Sequence, residues 1–261
     1  MIDIGIDPIM FRIGPLVLAW HGFFSAVGLG VALWLVGKES KRFGVTEDQS
    51  SFIALWGILG AIVGARLFHV VDAWEYYAQR PLSIFLINEG GIAIYGAIVG
   101  GVLGGVVAAW WRQWPWGPYA DLGGIGLILG QAIGRLGDVI NGEHRGTPLE
   151  APWSVRYTHP ETLGELNVPV SSAVTYELIW DVVIFVILGY LRFRRPQPGV
   201  IFWTYLGLYS VGRFFISFFR YDAIVAMGLA QAQLVAMALA FGSALMVIYL
   251  ATSKRQEQGE Y

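Results

Sequence analysis

Cysteine is absent from this 261-residue sequence, and with it any disulfide framework or thiolate metal site. Thiol chemistry here must draw its thiol from a substrate. Lysine is scarce: Lys38, Lys41 and Lys254 all lie outside the apolar runs, which excludes a retinal-type receptor with a lysine in its last span. Charge is low overall, at 14% of residues against roughly 25% in soluble domains, too little polar surface for a water-soluble fold. A net charge of −2 without basic blocks argues against nucleic acid as a partner. HExxH, GxSxG and P-loop patterns are missing too, so no metal and no cofactor are expected.

What is present is apolar, 56% of the chain, in runs of about 20 residues, the length a helix needs to cross the hydrocarbon core. Charged breaks between the runs predict an all-α polytopic membrane protein of about seven transmembrane helices. They fall near 15–37, 51–73, 91–111, 121–140, 174–191, 199–219 and 230–251. The chain 1–261 is expected to be a single transmembrane domain with a small polar extracytoplasmic cap over 141–173. The run from Pro15 to Gly37 is too long for a cleavable signal, and Asp3, Asp7 and Arg12 before it make no positive n-region. One set of loops and the tail carry Lys38, Lys41, Arg42, Arg112, Arg192, Arg194, Arg195, Lys254 and Arg255. The opposite set carries Arg12, Arg80, Arg145, Arg156 and Arg220. The positive-inside rule then puts the N-terminus outside and the C-terminus in the cytoplasm.

Small residues recur every four positions: Gly60 and Gly64; Gly96, Gly100 and Gly104; Gly126, Gly130 and Gly134. That spacing lets helix backbones touch in lipid. Arg66, Arg135 and Arg213 fall inside predicted spans. Centring one arginine costs about 2.5–3.5 kcal/mol even on the gentle insertion scale. Snorkelling relieves this near a helix end, an account that suits Arg66, Arg135 or Arg213 taken singly. Three on one leaflet side point instead to a polar cavity opening outward.

Arg135 and Asp138 share a helical face, and Asn141, Gly142 and Glu143 break the helix beyond them. The two form either a neutralising buried pair or, with glycines stripping the surroundings of bulk, part of the cavity. Asp121 lies nearly on that face but at the cytoplasmic end. Tyr209, Arg213, Ser217 and Arg220 make one polar stripe on an aromatic helix. Guanidinium groups bind phosphate bidentately and stay charged at any relevant pH, so arginines from two helices make a plausible phosphate clamp. A third cluster, Asn88 to Gly96, contains Tyr95. His21 and His69 are the histidines inside spans; such a residue is more often a hydrogen-bonded core group than a base.

At these residues the sequence resembles the phosphatidylglycerol–prolipoprotein diacylglyceryl transferase family of bacterial lipoprotein maturation. The runs GRLGDVINGEHRG, EGGIAIYGAIVGG and YSVGRFFISFFR carry the resemblance, with TYEL at 175–178, from about Trp20 to the last helix. The resemblance implies transfer of the diacylglyceryl group of phosphatidylglycerol to the lipobox cysteine thiol of a prolipoprotein signal peptide, releasing glycerol phosphate, in the bacterial cytoplasmic (inner) membrane. Membrane lipids are the surrounding partners. By resemblance Arg135 and Arg213 match the family's indispensable arginines, and Asp121, Glu143, Gly146 and Tyr209 match further functional positions. Asp138, Asn141 and Gly96 complete the expected substrate-binding set.

The sequence departs from the family pattern at several points. Tyr95 stands where the HGG-type motif has histidine, His21 where the first span often has tyrosine, Asp138 where asparagine is common, and Ser217 where a glutamate is expected. The general base is therefore open among His21, Tyr95 and the substrate itself. One hypothesis is that His and Tyr have exchanged places, with His21 supplying a base or relay. The competing function is a transporter or flippase for an anionic lipid or organophosphate, although no inverted repeat or broken helix marks one.

Overall fold

The structure, a computed structural model, describes residues 1–14, 16–86, 90–91, 93–144, 146–194 and 196–259. Pro15 at the expected start of the first span, Asn88, Glu89 and Ile92 of the third cluster, and Arg145 and Arg195 lie outside them. Helices form at all seven expected places: α1 Trp20–Glu39, α2 Glu47–Asp72, α4 Ile94–Trp111, α5 Trp116–Asn141, α6 Ala173–Leu191, α7 Val200–Ile216 and α8 Gln231–Gly259, with a short α3 at Trp74–Gln79. Five of them, α1, α2, α6, α7 and α8, are long and apolar enough to cross a membrane by length and composition. The apolar stretch of α4 is shorter, Tyr95–Trp111. α5 carries Asp121, Gln131, Arg135 and Asp138 in a glycine-rich sequence, which lowers its hydropathy. Large side chains such as Val63, Ile98, Val186, Phe241 and Ile248 lie exposed along the helices, a surface suited to lipid and costly in water.

Several boundaries differ from expectation, including an earlier start of α5 at Trp116 and a later end of α8 at Gly259, and two of the differences have identifiable reasons. α1 begins at Trp20 because the preceding apolar residues form a hairpin, β2 Ile9–Ile13 against β3 Leu16–Ala19. Gly14 supplies its left-handed turn residue, φ +58°. α2 begins earlier than expected, at Glu47, because Thr46 and Gln49 form a capping box. The Gln49 N–H donates to Thr46 Oγ1 at 3.2 Å and the Thr46 N–H donates to Gln49 Oε1 at 3.0 Å.

Contacts divide the chain into two compact units, Met1–Val36 with Ala120–Tyr261, and Gly37–Tyr119. In the second, α2 and α4 meet along the glycine seam. A Cβ on Gly64 would stand 2.3 Å from the Gly96 carbonyl oxygen, and one on Gly100 would stand 2.2 Å from that of Gly60. The packing function expected of these glycines is thus met by backbone-to-backbone contact.

In the first unit, Gly28 of α1 and Gly130 of α5 meet in the same way, a Cβ on Gly28 falling 2.5 Å from the Gly130 oxygen. Trp180 of α6 lies over Gly212 of α7, its indole N–H donating to the Leu208 carbonyl at 2.8 Å. The expected cap contains a small sheet. β1 Ile2–Ile4 runs parallel to β4 Val155–Tyr157, which pairs antiparallel with β5 Pro169–Val170. Val155, Tyr157 and Val170 form its core, with Ile4 and Val168 against them. The Tyr157 hydroxyl donates to the Val139 carbonyl of α5 at 3.0 Å, and burial pushes its phenol up to about 12. Arg156 grips Asp3 with two parallel bonds, Nε to Oδ1 at 2.9 Å and Nη2 to Oδ2 at 2.7 Å. A second hairpin, β6 Ile224–Ala226 with β7 Leu229–Ala230, joins α7 to α8.

The glycine seam predicts that Gly100→Val lowers the melting temperature in detergent by about 5 °C or more, since overpacking typically costs about 1–3 kcal/mol and here meets backbone. An unchanged melt would place α2 and α4 further apart. The Asp3–Arg156 fork holds the Asp3 carboxyl below its ordinary range. The fork's contribution is therefore present above the ordinary carboxylate value of about 3.9 and lost as pH falls through the lowered one. Asp3→Asn at neutral pH should mimic the acid state, with faster proteolytic clipping within residues 1–14; equal clipping rates would show that the fork does not hold β1.

Candidate functional site

The polar side chains of the first unit gather where α5 and α7 end and α1 and α6 begin, the end that carries the cap. α5 brings Arg135 six residues before its last residue, Asn141, and α7 brings Arg213 three before Ile216. α6 opens on Ser172, whose hydroxyl accepts the Thr175 N–H at 3.3 Å, and this places Glu177 in the second turn. The Glu177 carboxylate is the centre of the cluster. Its Oε1 accepts from Arg213 Nη1 and, at 3.1 Å, from Arg220 Nη1. Its Oε2 lies 2.9 Å from Arg135 Nη2 as an ion pair, outside hydrogen-bonding alignment. Side-chain exposure is 4% for Glu177 and 18–19% for Arg135 and Arg213, so the carboxylate is enclosed while the two guanidinium groups keep an open edge.

Arg220 owes its place to the end of α7. The Ser217 hydroxyl donates to the Arg213 carbonyl at 2.8 Å, a 3-10 turn follows over Ser217–Phe219, and Arg220 leaves in an extended conformation. Its backbone bridges that of Gly146. A Cβ on Gly146 would stand 1.9 Å from the Ser171 carbonyl oxygen, so only glycine fits between these strands. Arg220 Nε faces Asp222 at 3.6 Å.

Asp138 forms the second centre. Its Oδ2 accepts from Arg135 Nη1 at 2.9 Å, and its Oδ1 meets His21 Nδ1. The sequence left open whether Arg135 and Asp138 make a closed pair; Arg135 in fact spans two carboxylates, those of Asp138 and Glu177. Asn141 is buried, with Oδ1 lacking a partner among the described residues, and its carbonyl accepts from the Leu163 N–H at 2.9 Å. Gly142 turns the chain at φ +75°, and the Glu143 N–H donates to the Asp138 carbonyl at 3.0 Å. Tyr209 lies one turn before Arg213, its ring 6.1 Å from that of Tyr205, whose hydroxyl donates to Gln131 at 3.0 Å.

Of the expected site residues, the structure brings together Arg135, Arg213, Asp138 and His21, with Tyr209, Asn141, Glu143 and Gly146 on the adjoining segments. Asp121 is elsewhere. Fourteen residues before Arg135, about 21 Å along the helix, its carboxylate accepts the N–H groups of Gly199 at 2.7 Å and Phe202 at 2.8 Å and so caps the start of α7. Tyr95 and Gly96 belong to the second unit, where Tyr95 is half exposed on the first turn of α4 and Gly96 packs on Gly64 and Phe68.

Arg66, also in the second unit, is a structural arginine. Its Nε donates to the Ile84 carbonyl at 2.8 Å, Nη1 to Gly90 at 2.6 Å and Gly91 at 2.8 Å, and Nη2 to Ser83 and, at 3.1 Å, Leu86. All five guanidinium donors are used on backbone, beside a cavity of about 310 Å³ also lined by His69, Tyr76 and Tyr77. The sequence suggested helix anchoring for this residue; what it anchors is the loop before α4.

Glu177 and the part played by Arg220 escaped the sequence-based reasoning, as did Asp181, buried one turn beyond Glu177 with Oδ2 unpartnered among the described residues. The signal was available: Glu177 and Asp181 are the acidic residues of an otherwise apolar helix, and buried cations call for buried anions.

Residues 8–249 match the family model described as prolipoprotein diacylglyceryl transferase. Among the relatives, each named phosphatidylglycerol–prolipoprotein diacylglyceryl transferase, that of Symbiobacterium thermophilum is 37% identical over 94% of this chain and 93% of its own. That of Clostridioides difficile is 33% identical over 97% and 99%, and that of Trichormus variabilis 36% identical over 88% and 84%. With a cap-end cluster of membrane arginines and a family match over nearly its whole length, the chain belongs to the prolipoprotein diacylglyceryl transferase family.

Proposed function

We propose that this multi-pass membrane protein transfers the diacylglyceryl group of phosphatidylglycerol to a prolipoprotein, with Arg135 and Arg213 gripping the phosphate. The transferase activity follows from the family; the transporter alternative finds no support there. The observation that carries the site assignment is the convergence of Arg135 and Arg213, from separate helices, at the cap end of the first unit with partly open guanidinium edges.

The acceptor in this reading is the lipobox cysteine thiol, as the family resemblance implies, and the absence of cysteine from the chain is consistent with a thiol supplied by the substrate. Its sulfur attacks the glycerol carbon that bears the phosphate ester. The C–O bond breaks with its electron pair going to the phosphate oxygen, and the thiol proton leaves to a base and finally to glycerol phosphate or water. Negative charge grows on the leaving phosphate, where fixed guanidinium groups stabilise it most. Glu177 holds the two arginines apart and aimed, and Arg220 adds a third positive charge. Tyr209, Asn141, Glu143 and Gly146 shape the surrounding wall. The membrane supplies the lipid substrate laterally. The loop charges support an N-terminus outside and a C-terminus in the cytoplasm, which sets this cluster at the outer face where the precursor thiol emerges.

Arg135→Ala and Arg213→Ala should each lower transfer by about 10²–10³-fold, with Lys a poor substitute because it loses the bidentate fork. Purified protein, labelled phosphatidylglycerol and a lipobox peptide provide the assay; wild-type rates in both alanine variants would remove the clamp. Glu177→Gln should destabilise the fold by about 3–5 kcal/mol, since three guanidinium groups then share no central anion. Denaturant titration in mixed micelles measures this, and unaltered stability would show that the arginines do not rely on Glu177.

A further inference from the structure

We infer that His21 and Asp138 form a base dyad, in which Asp138 orients the imidazole that takes the proton from the substrate thiol. This rests on the transferase reading and names one further catalytic residue, His21, and one positioning residue, Asp138.

The geometry fixes the chemistry at both ring nitrogens. Asp138 is buried and already accepts from Arg135 through Oδ2, so it is ionised and acceptor-only. Its Oδ1 meets His21 Nδ1, which must therefore carry a hydrogen, so that in the neutral imidazole the lone pair sits on Nε2. The His21 side chain is 51% exposed, and Asp138 is its one hydrogen-bonding partner among the described residues. An ionised carboxylate fixing the tautomer and orientation of an imidazole with a free second nitrogen is the arrangement that makes histidine a base.

The approach of the two helices is built for this contact. A Cβ on Gly137 would lie 2.6 Å from His21 Cα and 2.7 Å from the Trp20 carbonyl oxygen, so α1 reaches its place only over a glycine next to Asp138. The start of α1 is held independently: the Trp20 N–H donates to the Pro8 carbonyl at 3.1 Å and the Trp20 indole donates to the Asp7 carbonyl at 3.0 Å. The charged groups facing His21 are Asp138 and Arg135 from α5 and Glu143 from the following loop. The carboxylate of Asp7 is turned onto the Ile9 N–H at 2.8 Å.

The dyad also adjoins the clamp, because Asp138 bonds His21 and Arg135 at once. The group that would receive the thiol proton and a group that would hold the leaving phosphate are thus fixed by one carboxylate. The thiol gives its proton to Nε2 as sulfur attacks, the C–O electron pair goes to the phosphate, and His21 then releases the proton to the departing phosphate or to water. Two of the sequence's departures from its family, His21 and Asp138, are therefore one coupled feature. Tyr95 has no part in this contact.

The test compares wild type with His21→Gln and His21→Ala in the transfer assay across pH, with the apparent KM for phosphatidylglycerol measured in parallel. The dyad predicts a kcat about 10²-fold or more lower at neutral pH in both variants, with KM little changed. It also predicts loss of the acid-side limb of the wild-type profile, activity rising instead toward the thiol's own ionisation at about 8.5, and partial recovery of His21→Ala by added imidazole. Wild-type kcat and an unchanged profile in His21→Gln would overturn the dyad. So would a loss expressed mainly in KM with no imidazole recovery, which marks a structural role. No thioether from the wild-type protein would overturn the transferase reading itself, and the dyad with it.

Discussion

Glu177 is the anion around which Arg135, Arg213 and Arg220 can share one small volume. Two like charges about 5 Å apart repel by about 3 kcal/mol at an effective dielectric of 20, and three such pairs would be intolerable without a central counter-charge. The carboxylate is enclosed while two of the guanidinium groups keep an exposed edge. One carboxylate thus offsets part of the charge of three guanidinium groups from within, and the cluster keeps an excess of positive charge. In the proposed clamp these fixed charges are the pre-organised groups that would meet a phosphate.

The rest of the first unit serves to bring four helix ends to that point. Gly28 against Gly130 and Gly137 against His21 set α1 on α5. Trp180 on Gly212 sets α6 on α7, which fixes the Glu177–Arg213 contact. Asp121 caps α7 at the opposite end, fixing the helix whose far end bears Arg213. Gly146, set against Ser171 and bridged to Arg220, ties the segment after α5 to the end of α7. Glycine matters at each of these approaches because neighbouring backbone, or at Gly212 the Trp180 indole, occupies the place a Cβ would take.

The helices were legible because apolar run length is a strong signal, and so were the glycine seams and the position of Arg135 and Arg213 inside two of the helices. What was not legible has physical reasons. Residues 9–19 continue an apolar run but form a hairpin, since hydropathy does not distinguish strand from helix around the turn at Gly14. α2 starts early on a capping box whose signature, Thr46 and Gln49, precedes the apolar run. β1 joins the cap across 153 residues of sequence, Asp3 to Arg156, a pairing no local pattern encodes. Glu177 was hidden for the same reason. A search for costly cations found the arginines one helix at a time, but their shared anion lies on a helix that reads as uniformly apolar except at Glu177 and Asp181. Arg66 stood apart in sequence by having no polar stripe of its own, but what it holds could not be read there. Only its bonds to backbone carbonyls reveal that its charge is already engaged.

The most direct test of this account is a structure of the protein with phosphatidylglycerol bound in a lipid environment. The account predicts phosphate oxygens within hydrogen-bonding distance of the guanidinium groups of both Arg135 and Arg213, with Glu177 still between them. A phosphate seated instead in the cavity beside Arg66, with Arg135 and Arg213 engaged by Glu177 and Asp138 alone, would contradict it.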